Sequence, residues 1–241
     1  MKQNCIRCQL KEDIDRMNME RDHLIFERRA NVMDSEIANL SQAIERFNSE
    51  CESCKSRRNK ITQTNGKNIF GCHISFYYYG VDHLIINMCS YISRGIKNNE
   101  LVIISAEQEV YDKLTLLLKS SNIPSESVVF YPVEDMILLN KQEGVIAVRN
   151  SADKFLADAK ARGYSGIRWI GQPSYAMRKT SKDDFLAFEL SLTEMVREKE
   201  ISILCIYDAY DYMTDRKYVD CDVMNESMHT HTHMLGFLNE E

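Results

Sequence analysis

The chain has 241 residues, 44% of them hydrophobic, enough for one large domain or a medium domain with an appendage. Its net charge of −6 argues against nucleic acid as the main partner, because such proteins carry a clustered basic face. The first residues lack the apolar core of a signal peptide and no run of about 18 apolar residues occurs, so a cytoplasmic protein with no membrane segment is expected.

In that compartment the eight cysteines read as thiols or metal ligands rather than structural disulfides. Two CxxC pairs, Cys5/Cys8 and Cys51/Cys54, bracket a charged segment of helical pattern. Leu10, Ile14, Met17 and Leu24 form one apolar stripe, and Phe26, Ala30, Met33, Ile37, Leu40, Ile44 and Phe47 a second that is out of register with the first. An α-helical hairpin turning near 31–35 reconciles the two stripes and brings both CxxC pairs to its open end. Four thiolates there suit tetrahedral Zn²⁺, which would hold a unit too small to bury a core of its own. An iron–sulfur cluster, a reversible dithiol, and antiparallel pairing of long helices in a homodimer are the other readings of the same pattern. Residues 1–56 are thus expected as the hairpin and 57–68 as a polar, basic linker.

From 69 to 241 apolar runs alternate with helical patterns. Strands are expected at 69–78, 101–105, 127–132, 166–170 and 201–207, with helices at 82–96, 108–121, 145–162 and 182–198. Strands apolar on both faces and separated by helices call for an α/β fold with a mainly parallel sheet covered by helices. Gly163 is placed to end the third helix, and Ser181 with Asp183 and Asp184 to start the fourth. Ligands of such sheets bind beyond the carboxyl ends of the strands, where this chain has Tyr77 to Tyr79, Glu107, Glu134 and Asp208 to Asp211. No GxxxxGK[ST] and no GxGxxG occurs, so the usual cradle for nucleotide phosphates is missing.

Several stretches, in order, resemble one family. GCHISFYY resembles the opening strand of the MEDS domain, the methanogen/methylotroph sensory domain; YISRGIKNNELVIIS resembles its helix–glycine–strand pattern. IRWIGQPSYAM, FLAFELSLTEMV and ILCIYDAYDY follow, and a late histidine is expected within His229–His233. The resemblance covers roughly 69–238. It implies a RecA-like fold without a phosphate loop, a sensory role beside signalling modules, and a small hydrocarbon-type ligand.

Individual residues carry two readings each. His73, inside an apolar strand, is either a core histidine with a hydrogen-bonded ring or a pocket residue; Tyr77 shares its face and Tyr78 the opposite one. Glu189, in an apolar helix among Leu186, Leu190 and Leu192, needs a partner, for which Arg168 or a histidine is the expectation. Cys205 reads as a small buried residue, and Asp208, just past Tyr207, as the better functional candidate. His229, His231 and His233 would share a strand face, or pair on a helix, with Asp220, Cys221 and Asp222 nearby as further metal-ligand types. Together these define a non-catalytic cytoplasmic sensor. Its ligand would lie among His73, Tyr77, Tyr78, Glu189, Tyr207, Asp208 and His231. The four-cysteine hairpin would pass the signal to a dimer mate or to a partner such as a histidine kinase. The alternatives are a redox or metal sensor acting through the CxxC cysteines and, more weakly, a RecA-like nucleotide-binding enzyme.

Overall fold

The structure is a computed structural model, and it describes residues 62–64, 66, 69–124 and 126–235. The expected hairpin, with Cys5, Cys8, Cys51 and Cys54, lies outside the described residues. Seven strands form one sheet: β1 (Thr62–Thr64), β2 (His73–Tyr78), β3 (Glu100–Ser105), β4 (Val128–Phe130), β5 (Gly166–Gly171), β6 (Ile201–Asp208) and β7 (His233–Leu235). Their spatial order is β1-β7-β2-β6-β5-β3-β4, and every pairing is parallel. Parallel strands need crossovers, and helices supply them. They are α1 (Val81–Lys97), α2 (Gln108–Ser120), α3 (Glu134–Glu143), α4 (Val145–Ala161), α5 (Pro173–Lys179), α6 (Lys182–Val196), α7 (Ala209–Met213) and α8 (Cys221–Thr230). The α/β fold with helices on both sides of a parallel sheet is the class expected from the alternation of apolar runs.

Strand alternation divides the core. Ile74, Phe76, Tyr78, Val102, Ile104, Ile170, Leu204 and Ile206 point to α1 and α2, where they meet Leu84, Met88, Ile92, Leu114 and Leu118 in one buried cluster. His73, Tyr77, Cys205 and Tyr207 point the other way, towards α6 and α8. α6 begins as its sequence requires: the Ser181 side chain accepts from the Asp184 N–H at 3.1 Å, with Asp183 and Asp184 in the first turn. Its buried stripe is Phe185, Phe188, Glu189, Leu192, Met195 and Val196, so Glu189 stands in a row of core residues.

The described elements depart from the expected ones in identifiable places. β2 begins at His73 rather than at 69, because Gly71 at φ 77° closes a turn in which the Cys72 N–H bonds to the Ile69 carbonyl at 3.0 Å. Thr62–Thr64, within the stretch expected as linker, pairs with β7 as an edge strand. Helices α3, α5, α7 and α8 come in addition to the four expected. Arg168 does not reach Glu189. It is fully buried on the α1 side of the sheet, where its Nε donates to Glu100 Oε2 at 2.6 Å.

Only Tyr79 and Gly80 separate β2 from α1. Two residues cannot wrap a phosphate chain, and the Tyr79 N–H is spent on His83 Nδ1 at 3.0 Å. No described helix is long and apolar enough to cross a membrane.

Candidate functional site

The register of β2 against β6 builds the centre of the site. Ser75 pairs with Cys205 and Tyr77 with Tyr207, so His73, Cys205 and Tyr207 rise from adjacent strands on the face that α6 covers. The inward stripe of α6 lowers Glu189 onto them. α8 then ends at Thr230, and the chain turns through His231 into β7, bringing that imidazole in from the far side. His73, Glu189 and His231 are 0% exposed and Cys205 3%. The donor atoms of these four all lie within 4.8 Å of one another. His231 Nε2 is 3.3 Å and His73 Nε2 3.6 Å from Glu189 Oε1. His73 Nε2 is 3.4 Å from Cys205 Sγ, which is 3.8 Å from Glu189 Oε2. Tyr207 Oη donates to Glu189 Oε1 at 2.7 Å.

The outer atoms of both rings fix their tautomers. Thr193 Oγ1 donates to the Thr230 carbonyl at 2.6 Å, so its lone pairs are left to accept from His73 Nδ1 at 3.1 Å. His231 Nδ1 donates to the Ser227 carbonyl at 2.6 Å. Each imidazole therefore presents an unprotonated Nε2 to the centre, and His231 Nε2 finds no hydrogen-bond donor there. Burial holds His231 down to about 3 against the pull of the Ser227 carbonyl, and it holds His73 well below its usual range, with His231 adding to the effect. Burial pushes the Glu189 carboxyl up to about 7 even though Tyr207 and Cys205 bond to it. Burial, with Glu189 beside it, also pushes the Cys205 thiol up.

An apolar chamber of about 40 Å³ lies beside this centre, between β5, β6 and helices α3, α5 and α6. Met136, Trp169, Phe185, Phe188 and Leu192 form its walls, and Glu189 and Cys205 reach it from the centre. Other polar groups of the wall are already engaged. Trp169 Nε1 donates to Ser105 Oγ at 2.9 Å, and the Gln172 amide bridges the Glu107 N–H and Tyr78 Oη. One water takes about 10–15 Å³ of such volume, so the chamber suits a molecule of about three or four heavy atoms.

The residues expected as one site fall into two places. His73, Glu189, Tyr207 and His231 converge, with Tyr77 alongside: its hydroxyl bonds Ser227 Oγ at 2.8 Å and its ring stacks on Tyr207 at 5.4 Å. Tyr78 and Asp208 do not join them. They line an open, polar cleft of about 290 Å³ at the carboxyl edge of the sheet. There Asp208 accepts from the Tyr210 and Asp211 N–H groups and caps α7. His229 is exposed at the end of α8 and His233 sits in β7, so neither the shared strand face nor the helical pair forms. Asp220 and Asp222 stand at the far end of α8 and bind Lys182 at 2.5 and 3.0 Å.

Cys205, Thr193 and Ser227 are part of the site in addition to the residues expected from the sequence. A signal for Cys205 was present: it lies two residues before Tyr207 on one strand, hence on one face.

No curated protein matches the chain. Residues 72–232, more than half of the sequence, match the family described as MEDS: MEthanogen/methylotroph, DcmR Sensory domain. That stretch runs from the start of β2 to just past His231 and so contains the whole buried centre; the chain belongs to the MEDS family of sensory domains.

Proposed function

We propose that the domain is a non-catalytic sensor of a small, mostly apolar molecule bound in the chamber beneath α6. One observation carries this reading: the chamber is walled almost entirely by apolar atoms, with Glu189 and Cys205 among the residues at its edge, so it suits a small, mostly apolar molecule. A sensory family and a two-residue β2–α1 connection favour recognition over phosphate chemistry. Tyr77, Tyr207 and His231 would sense the occupant through Glu189, whereas Tyr78 and Asp208 would serve the open cleft. On the same reading Cys5, Cys8, Cys51 and Cys54 hold Zn²⁺ in a helical hairpin. That hairpin links the domain, in the cytoplasm, to a dimer mate or to a signalling partner such as a histidine kinase.

The test is thermal unfolding of the full chain against a panel of short-chain alcohols, amines, thiols, halides and carboxylic acids. A ligand at 100 times its Kd adds about 2.7 kcal/mol. For a domain of this size that raises Tm by roughly 5–10 °C. Gly171 lines the chamber, and a Cβ there meets no atom within 4 Å, so Gly171→Leu fills the space from a wall with room for it. The expected result is a folded variant that has lost the shift. No shift with any member of the panel, or a shift that survives Gly171→Leu, would sink the reading.

A further inference from the structure

We propose that His73, Glu189, Cys205 and His231 form a mononuclear site for a divalent transition-metal ion of the zinc type, separate from the cysteines of the N-terminal segment.

The first support is metric. Around a tetrahedral ion with N or O at about 2.0–2.1 Å and S at about 2.3 Å, neighbouring donors lie roughly 3.4–3.6 Å apart. Four of the contacts match this: 3.3 and 3.6 Å from His231 and His73 Nε2 to Glu189 Oε1, 3.8 Å from Cys205 Sγ to Glu189 Oε2 and 3.4 Å from His73 Nε2 to Cys205 Sγ. One donor atom from each residue lies within 4.8 Å of the others, near enough to close on an ion by small side-chain shifts. The second support is the direction of the lone pairs. Two imidazoles with their protons on the outer nitrogens meet the Glu189 carboxyl, towards which the Tyr207 hydroxyl and the Cys205 thiol point their protons. His231 Nε2, fully buried, is without a donor. A buried acceptor left without a donor costs stability unless a cation joins it. The third is the arrangement behind the donors. Thr193 and the Ser227 carbonyl each bond the outer nitrogen of a ligating imidazole, as the supports of metal ligands do, and Tyr207 holds the Glu189 carboxyl in place.

The donor set selects the ion. Two imidazole nitrogens, one sulfur and one carboxylate oxygen suit Zn²⁺ and its neighbours and disfavour Mg²⁺ or Ca²⁺, which take oxygen. On binding, Cys205 loses its proton to solvent and the sulfur takes the ion in its place, so uptake releases at least one proton. Because Glu189 and Cys205 also border the chamber, the ion would form its inner wall. The inference does not depend on the small-molecule reading, since metal uptake is measured with no organic ligand present.

The decisive measurement uses the full chain with Cys5, Cys8, Cys51 and Cys54 all changed to Ser, titrated with Co²⁺ and then Zn²⁺. Expected are one Co²⁺ per chain, the visible bands of a tetrahedral ion, and a thiolate charge-transfer band that Zn²⁺ abolishes. Cys205→Ser should remove the charge-transfer band, and His231→Gln should weaken binding at least 10-fold with the circular dichroism unchanged. The same substitution in the otherwise wild-type chain should lower the metal-to-chain ratio by one, which keeps the test valid if the four-serine chain does not fold. A folded four-serine chain that takes up no Co²⁺ at micromolar concentration would overturn the proposal. So would a ratio or an affinity untouched by His231→Gln.

Discussion

Replacing Glu100 by Gln isolates the second buried charge system of the domain. Arg168 and Glu100 are 0% and 3% exposed. The guanidinium donates from Nε to Glu100 Oε2 at 2.6 Å, from Nη2 to Oε1 at 3.1 Å, from Nη1 to the Tyr91 carbonyl at 3.0 Å and from Nη2 to the Gly66 carbonyl at 3.3 Å. It also lies 4.4 Å from the centre of the Tyr91 ring. Gln keeps one acceptor but removes the only carboxylate that Arg168 reaches among the described residues, leaving a buried cation with neutral partners alone. Removing one partner of a buried pair costs about 3–5 kcal/mol; the retained acceptor puts Glu100→Gln near 3. Against a typical total of about 5–15 kcal/mol that is a large share. At 2–4 °C per kcal/mol it lowers Tm by roughly 6–12 °C. Urea unfolding followed by circular dichroism at pH 7, for Glu100→Gln, Arg168→Met and the double variant, gives the coupling directly. A loss under about 1 kcal/mol in Glu100→Gln would refute the argument. So would additive single effects, or a coupling of Arg168 to Glu189 in place of Glu100.

Two further outcomes follow from the same structure. Thr193→Val removes the hydroxyl that holds the proton on His73 Nδ1, and by the usual cost of losing such a support it should weaken Co²⁺ binding about 10- to 100-fold; unchanged binding in competition with a chelator would show that the ring needs no such support. Asp220 caps α8, and its loss to Ala should cost about 1 kcal/mol in chemical unfolding, whereas Asn should cost little. Burial raises the Asp220 carboxyl, but Lys182 and the backbone amides outweigh it and hold the group below the usual 3.8. Its contribution is therefore present above the unfolded value and lost as pH falls through the folded one. The difference between wild type and Asp220→Ala should shrink on going from pH 5 to pH 2.5, and a constant difference would contradict that sign.

The central sheet was legible because its strands carry apolar residues on both faces, a pattern that LVIIS and ILCIY show without ambiguity. β1 and β7, three residues each, are too short to show any period, and α5 and α7, at seven and five residues, are too short for a helical one. The need of Glu189 for a partner was visible from its apolar neighbours. The choice of partner was not. Arg168 pairs in register with Ser202 and Val102, and only that register reveals that it points to α1, away from α6. The parity of His73 and Tyr77 could be read within one strand, so their shared face was foreseen. That Cys205 and Tyr207 stand beside them depends on how β6 slides along β2, and that His231 closes the set depends on a chain reversal some 25 residues later. Side-chain identity announced a polar centre, but only long-range pairing decided its membership.

The position of that centre bears on how a signal could leave it. A site at the carboxyl edge of the sheet would touch loops alone, whereas this one lies inside the domain and ties α6 to the C-terminal crossover. Thr193 on α6 bonds the Thr230 carbonyl, and His231 meets Glu189; two residues on, His233 begins β7. β7 pairs with β1 from Thr62↔His233 to Thr64↔Leu235, and β1 is where the chain from the N-terminal segment enters the sheet. His231 is thus two residues from a strand hydrogen-bonded to the start of the domain. On the proposed reading, an occupant that draws His231 towards Glu189 should stiffen β7 and β1 while leaving the opposite edge, β4, unchanged. Amide exchange of the full chain with and without Zn²⁺ measures this. Slower exchange at Thr62–Thr64 and His233–Leu235, with none at Val128–Phe130, is the expected outcome. Equal protection at both edges would mean that metal steadies the domain as a whole and that the short path through β7 carries no signal of its own.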